Sequence, residues 1–439
     1  MNAIRAYWRQ NVLPGEAAPL AWSALAFFLI LTAYYVIRPV RDQLSGAVGA
    51  VALPLFYAGT FAAMVVLTPV FGWLVSRYAR RRLLVWVYGF FIVCLLAFVP
   101  AFMEQREIGA RTLGVAFFTW VSVFNLFVVS LFWSLMADLW AGVQARRLFP
   151  LIAFGGMLGA IVGPALTRLL LHVIGVAPLL VVSAVLLVLA LAALLWLSAR
   201  HEGVREVRAD AAIGGSLWAG VKQAFMQPFV RYMAMLMLLS DGIGTLAYAL
   251  VANYAHAHEV GRVARSAFYA DIDLITNVLG AIVQLTVTRW VLKRWGAGWG
   301  LVIPALVNVV LLASIAVFGT GAMASVGVGV SLLLVLQVVS RGMAYGMTKP
   351  ASDSLYSRAA REARYKGKNF VETTVWRFGD LVVTSGLNGL QALGAGMAVI
   401  AGIATGFSAL AAWLGHRVDA APGLESDPIT PQGSRSMCQ

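Results

Sequence analysis

Stretches of about twenty apolar residues follow one another along most of the chain, and short polar segments separate them. The stretches are continuously apolar rather than alternating, which favours membrane-spanning helices over barrel strands. About twenty helical residues cross the hydrocarbon core of a bilayer. The pattern predicts an all-α membrane protein of about twelve spans, at 20–42, 51–76, 83–103, 111–138, 149–172, 177–198, 228–254, 267–291, 299–319, 323–347, 370–391 and 395–415.

The polar segment 199–227 interrupts this pattern and predicts a cytoplasmic linker between two six-helix bundles. The N-terminal bundle would comprise residues 1–198 and the C-terminal bundle residues 228–418. The remaining segment, 419–439, is rich in Pro, Gly and Ser and predicts a disordered cytoplasmic tail.

A weak internal repeat supports the division into two halves. Phe56-Tyr57-Ala58 opens the second span, and Phe268-Tyr269-Ala270 opens the eighth. At the same separation along the chain, Arg77 matches Arg289. Parallel halves that arise by duplication are typical of secondary transporters.

Composition and charge agree with a membrane protein. Only 12% of the residues are charged and 61% are hydrophobic, as expected where a charge in hydrocarbon is costly. The net charge of +14 would suggest nucleic acid in a soluble protein, but the basic residues here concentrate in alternate loops. This positive-inside pattern predicts an inner-membrane protein with both termini cytoplasmic and no nucleic-acid partner. The basic loops are 77–82, 146–147, 200–222, 293–294 and 358–368.

Enzyme signatures are missing from the sequence. It has no glycine-rich phosphate loop with lysine, no zinc-ligand spacing and no nucleophile elbow. Its two cysteines, Cys94 and Cys438, do not form a disulfide framework. We therefore expect neither an enzyme nor a cofactor or metal site.

Ionisable residues inside the spans are the informative ones, because each needs a partner or a water-filled cavity. Arg38 and Asp42, near the end of the first span, are four residues apart and can pair on one helix face. One interpretation is a cluster that snorkels to the interface. The other is a gate or anion-contact site that includes Arg41, Tyr34 and Tyr35.

Three further residues suggest gating near the basic loops. Asp138 ends the fourth span, and a structural salt bridge is the simpler explanation of it. Arg77 and Arg81 follow the second span, in a spacing after Gly72 that resembles the loop between helices two and three of the major facilitator superfamily. In that family the loop helps to lock the inward gate, but positive-inside topology alone would also explain the two arginines.

The C-terminal half contains acids within its spans. Asp241 lies mid-span beside two glycines, and intramembrane acids mark ion or proton paths. Glu372 and Asp380 are eight apart, near one helical face, with Arg377 between them. These three residues form either an internal ion-pair relay or a substrate-contacting arginine with an acidic coupling group.

Five strings of this sequence resemble bacterial relatives of the ATP/ADP translocases, the nucleotide exchangers of plastids and obligate intracellular bacteria. The strings occupy 34–44, 132–139, 146–149, 154–164 and 364–380. The resemblance implies a major-facilitator-like fold and alternating-access transport of an anionic solute, with a nucleotide as one candidate.

Three functions remain open at this point. The first is a transporter of an anionic solute, monomeric in the lipid bilayer, with the solute held by arginine, which suits bidentate capture of phosphate or carboxylate. The second is a proton-coupled symporter or exporter that uses Asp241, Glu372 or Asp380. The third is a membrane scaffold that transports nothing. The arginines in or near spans are Arg38, Arg41, Arg231, Arg341 and Arg377.

Overall fold

The structure is a computed structural model that describes residues 12–140, 143–200, 226–259, 261–320, 331–360, 363–422 and 424. The predicted linker, 199–227, and the predicted tail, 419–439, lie mostly outside these residues. Among the described residues, extended backbone pairs at an isolated antiparallel bridge between Ala359 and Leu424.

Six long helices form the first part of the described chain, and short helical turns at Ala50–Ala52 and Gln105–Ile108 lie between them. Glycines with positive φ mark sharp turns, as at Gly109 (φ 85°) before the fourth helix and Gly175 (φ 76°) after the fifth. The helices are α1 Ala17–Val48, α2 Leu53–Arg77, α3 Arg80–Met103, α4 Ala110–Leu139, α5 Val143–Ile174 and α6 Pro178–Arg200.

The second part contains six more helical stretches, three of which include π-helical turns. The stretches are α7 Pro228–His258, α8 Arg262–Arg294, α9 Ala297–Phe318, α10 332–357, α11 363–392 and α12 Met397–Asp419. The π turns are Gln284–Thr288 in α8, Ala344–Thr348 in α10, and Ala363–Gly367 and Val371–Val375 in α11. Such turns insert an extra residue into the helical ladder and occur often at functional sites.

The helices have the length and surface of membrane spans. Among the described residues, ten stretches are long and apolar enough to cross a bilayer, and α10 and α11 are the other two of the predicted set. Large apolar side chains lie exposed on the helices, such as Val66 at 63%, Phe90 at 59% and Val173 at 80%. Lipid tails solvate such a surface, whereas water does not. The prediction of an all-α, multi-pass membrane protein is therefore confirmed.

The described chain divides into two compact units. The first falls within Met1–Val48, Ala62–Gly214 and Ala255–Leu274. The second falls within Gly49–Phe61, Gly215–Tyr254 and Ile275–Gln439. The first unit thus includes a segment of the second half of the sequence, the end of α7 and the beginning of α8. The predicted bundle limits, 1–198 and 228–418, stay a prediction.

In the first unit, α1 packs against α4, α5 and α6, and α3 packs against α6. The closest approach, between α1 and α5, depends on glycines spaced four apart on α5. A Cβ atom at Gly155 would lie 2.4 Å from the carbonyl oxygen of Ala24, and one at Gly159 would lie 2.4 Å from that of Phe28. The glycine-rich string at 154–164 therefore positions the backbone of α1, which carries candidate site residues.

In the second unit, α9 packs most extensively against α12, and α10 contacts both α8 and α9. Close contact between α8 and α10 again uses glycine, because a Cβ at Gly346 would lie 2.6 Å from the carbonyl oxygen of Gly280. The hydroxyl of Thr288 donates a hydrogen bond to the carbonyl of Gly346 at 2.6 Å. The π turns of α8 and α10 are thus joined directly.

Several predicted boundaries differ from the observed ones by more than a turn, and the largest difference among the described residues is at the end of α10. The span at 323–347 was expected to end before Lys349, but α10 continues to Ser357, and α11 already begins at 363 rather than at 370. Hydropathy falls at Lys349 and Asp353, yet both side chains form ion pairs with residues of α11. Paired charges allow the helices to continue where the apolar pattern stops.

We predict that Gly159→Ala lowers the free energy of unfolding by about 1–3 kcal/mol, because the new methyl group would meet the backbone of α1. The matched control is Gly89→Ala in α3, where a Cβ has nothing within 4 Å, so that only helix propensity changes. Thermal unfolding of both purified variants in detergent measures the difference. Equal unfolding temperatures for the two variants would contradict the close α1–α5 contact.

Candidate functional site

A buried group of four charged residues lies in the first unit, and we call it the α1 set: Arg38, Arg41, Asp42 and Asp273. Their exposed fractions are 4, 8, 2 and 5%. The Nε atom of Arg38 lies 3.9 Å from Oδ2 of Asp42, so the pair expected from their spacing is present. Arg41 donates from Nε to Oδ1 of Asp42 at 2.7 Å. These side chains are buried in the protein.

The fourth member, Asp273 on α8, is a residue that sequence analysis missed. Its Oδ2 atom lies 3.5 Å from Nε of Arg38. A signal was available, because Asp271 and Asp273 are two acids within the apolar span 267–291. The reasoning that selected Asp241 as an intramembrane acid applies to them equally.

An aromatic ring lies beside each cation of the α1 set. The Arg41 guanidinium lies 4.4 Å from the ring centroid of Phe118, and that of Arg38 lies 5.3 Å from that of Tyr35. Tyr34 stacks on Phe124 with 6.3 Å between centroids. A ring face attracts a cation and adds to the ion pairs. Of the two predicted tyrosines, Tyr35 therefore lies next to a predicted arginine, and Tyr34 packs on Tyr35.

A second group, the α11 set, lies in the second unit and comprises Asp241, Arg341, Arg377 and Asp380. Asp380 is 4% exposed and accepts a hydrogen bond from Arg377 at 3.0 Å and one from the hydroxyl of Thr245 at 2.5 Å. Asp241 is partly buried and close enough to interact electrostatically with the other three members. Arg341 also lies over the ring of Tyr248, 5.4 Å from its centroid. Helices α7, α10 and α11 thus bring four predicted residues together.

Glu372 does not join this group, so the predicted relay along α11 is divided. Its carboxylate accepts a hydrogen bond from Lys349 of α10. Asp353 completes the arrangement, 2.7 Å from Nζ of Lys368 and 3.4 Å from Nζ of Lys349. We call these four residues the lysine set. Lys349 and Asp353 escaped the sequence analysis, which assigned them to a loop.

The remaining predicted gating residues lie at helix ends. Asp138 pairs with Arg80 at 2.8 Å, where the side chains are 50 and 26% exposed. Arg77 is exposed and lies 5.8 Å from the ring centroid of Trp73, and Arg81 is exposed as well. An exposed pair of this kind contributes about 0–1 kcal/mol. These residues therefore match the simpler, structural explanation as well as the gating one.

Charge is balanced within each of the three sets. Each contains two cations and two carboxylates, counting the members named above. A neutral set costs far less in a medium of low dielectric constant than an unpaired charge does. Protonation or movement of any one member changes the net charge of its set by one unit. Such a set can therefore respond to a charged solute or a proton.

No protein-family model matches the chain, and no curated protein matches its sequence. Solved structures do match. The POT family transporter PepTSo aligns with a TM-score of 0.64 at 14% identity, over 92% of this chain and 98% of that one. The nucleoside transporter NupG gives 0.62 at 14% identity, over 91% and 98%. The E. coli fucose:proton symporter FucP gives 0.59 at 14% identity, over 91% and 98%.

At 14% identity these likenesses concern the fold. All three proteins are transporters of the major facilitator type, and their structures align with nearly the whole of this chain. The chain therefore has a major-facilitator-like fold, as the sequence resemblance implied.

We predict that Arg377→Gln lowers the free energy of unfolding by about 1–3 kcal/mol, because it removes a cation from beside the buried carboxylate of Asp380. Adding Asp380→Asn should recover part of this loss, since the second change removes the uncompensated charge. Arg417→Gln, at an exposed residue over Trp413, is the control. Thermal unfolding of Arg377→Gln, of Asp380→Asn and of the double variant tests this coupling. Strictly additive losses would show that the two side chains are not coupled.

Proposed function

We propose that this protein is a secondary active transporter that carries a small anionic solute across the bacterial inner membrane by alternating access. The observation that carries this proposal is the α11 set, in which Asp380 is 4% exposed and contacts both Arg377 and Thr245. Packing alone does not require charge there. Intramembrane ionisable residues mark substrate and ion paths.

The fold supports a transport function, since the structural neighbours are a POT family transporter, a nucleoside transporter and a fucose:proton symporter. The sequence resemblance to ATP/ADP translocases supports an anion and makes a nucleotide one candidate. Our candidates for solute contact are the arginines of two sets. Arg341 and Arg377 belong to the α11 set, and Arg38 and Arg41 belong to the α1 set. Guanidinium groups bind phosphate and carboxylate in a bidentate manner.

Charge balance constrains how such a solute moves. An anion that enters a neutral set makes it negative, and an uncompensated buried charge is costly. Two processes restore neutrality: a second anion leaves in exchange, or a proton arrives on a carboxylate. We favour exchange, because the resemblance is to exchangers and because arginine keeps its charge at all relevant pH values.

The loop charges support the proposed topology, with both termini cytoplasmic and α1 running outward. In that orientation the end of α1 at Val48 faces the periplasm, and the lysine set lies in the cytoplasmic half of α10 and α11. We propose a monomer as the functional unit.

Proteoliposomes that contain the purified protein should exchange labelled anions, tested with ATP, ADP, inorganic phosphate and dicarboxylates. We predict that Arg377→Gln reduces the exchange rate about tenfold or more, since a charge-assisted contact is worth at least about 1.4 kcal/mol. Arg417→Gln should exchange at the wild-type rate.

A folded wild-type protein that exchanges no member of this panel would contradict the anion proposal. The scaffold alternative would then be preferred, provided that Arg377→Gln also leaves cell growth unchanged.

A proton-coupled symporter is the second candidate, and the nearness of Asp241 to another carboxylate, Asp380, favours it. Intramembrane acids mark ion or proton paths. An outside-acid pH gradient should then drive accumulation, and Asp241→Asn should abolish accumulation while leaving exchange intact. Asp419→Asn, in a pair with Arg358 at the end of α12, is the control.

Transport that ignores the imposed gradient in wild-type vesicles would exclude proton coupling and leave exchange. Accumulation that survives Asp241→Asn would show that another acid is the coupling residue.

A further inference from the structure

Residues 255–274 belong to the first unit, although they lie in the second half of the sequence. They comprise the last turn of α7, the connection to α8 and the first three turns of α8. We call them the α7–α8 hairpin tip. Polar contacts join them to α1, α3 and α5 of the first unit.

Two ion pairs hold the hairpin tip. Asp273 lies 3.5 Å from Arg38 of α1, in the buried α1 set. Asp271 lies 3.1 Å from Nε of Arg168 of α5, where the side chains are 49 and 43% exposed. Because the two acids are two residues apart, they lie on nearly opposite sides of α8. Helix α8 is thereby held to α1 on one side and to α5 on the other.

Three further contacts fix the same segment. Arg262 donates a hydrogen bond to the carbonyl of Phe102, at the end of α3, at 2.6 Å. The ring of His256 lies 2.9 Å from the carbonyl oxygen of Ala47. Gly46 allows Tyr269 to pack closely, because a Cβ there would lie 3.0 Å from Cε2 of the tyrosine ring. All of these partners lie near the ends of their helices, on the side where α1 ends.

We propose that the α7–α8 hairpin tip is a latch that closes the membrane face at which α1 ends, and that its release creates an anion-binding site on Arg38 and Arg41. Closed, the α1 set contains two cations and two carboxylates. Release removes Asp273 and with it one negative charge, so the set gains one unit of positive charge. The latch thereby presents its cations to an anion only when that face is open.

This inference rests on the proposed function for its link to transport, but the closing of the face is tested without any solute. The natural cysteines are first replaced, as Cys94→Ser and Cys438→Ser. Ser266→Cys then serves as a reporter, because Ser266 is 0% exposed and lies seven positions before Asp273, on the same side of α8. A membrane-impermeant maleimide is added to each side of the membrane in turn.

We predict that the reporter is labelled slowly when Asp273 is present and at least about tenfold faster in Asp273→Asn. The acceleration should occur only when the maleimide is added to the membrane face at which α1 ends. Arg168→Asp and Asp271→Arg should each accelerate labelling, and the double exchange should slow it again because the pair is restored. Asp419→Asn, in an ion pair of the second unit, should leave the rate unchanged. Size-exclusion profiles confirm that each variant is folded.

The anion part uses inorganic phosphate as the probe, at constant ionic strength with chloride as the reference. In the Asp273→Asn variant, phosphate should slow labelling of the reporter, whereas in the triple variant with Arg38→Gln and Arg41→Gln it should not.

Unchanged labelling in Asp273→Asn, or no recovery in the double exchange, would overturn the latch. Absence of phosphate protection would overturn the anion site while leaving the latch. Failure of the transport assay alone, with labelling as predicted, would overturn the proposed function and leave the latch intact.

Discussion

A full charge in the hydrocarbon core of a membrane costs about 2.5–3.5 kcal/mol even on the mildest scales, and the polar architecture of this chain follows from that cost. Three sets of its cations and carboxylates each contain equal numbers of positive and negative charges, and the α1 and α11 sets both join helices that are distant in sequence. Apolar packing alone would not select such an arrangement. Close glycine contacts, as between Gly159 and the backbone of Phe28, fix the helices that present the charges.

Because each set is neutral, a charged solute or a proton that moves through the protein changes the charge balance of the set that it reaches. If Asp273 leaves Arg38, or a proton reaches Asp241, the set concerned gains one unit of positive charge. Conformation, solute charge and protonation are then linked by one electrostatic condition. A carrier needs such a link, because it must change shape when loaded and resist changing shape when its charges are unmatched.

Hydropathy alone predicted the class, the approximate number of spans and most of their limits, since each span must bury about twenty apolar residues. Local spacing predicted the pair between Arg38 and Asp42, which are one helical turn apart. Partners distant in the chain were not predictable in this way. Asp273 meets Arg38 only through packing of α8, and Lys349 remains helical because Glu372 of α11 neutralises it. Periodicity reports the face of a helix, but not which helix lies opposite.

The most direct test of the central claim is a thermal-shift titration of the purified protein with nucleotides, other organic anions and organic cations. A ligand that binds only the folded protein stabilises it by mass action and so raises its unfolding temperature. The stabilisation is about 2.7 kcal/mol when the ligand concentration is one hundred times the dissociation constant. The account predicts a rise with at least one class of anion, and loss of that rise in Arg377→Gln. The account would be contradicted if only cations raised the unfolding temperature, or if none of the tested ligands did.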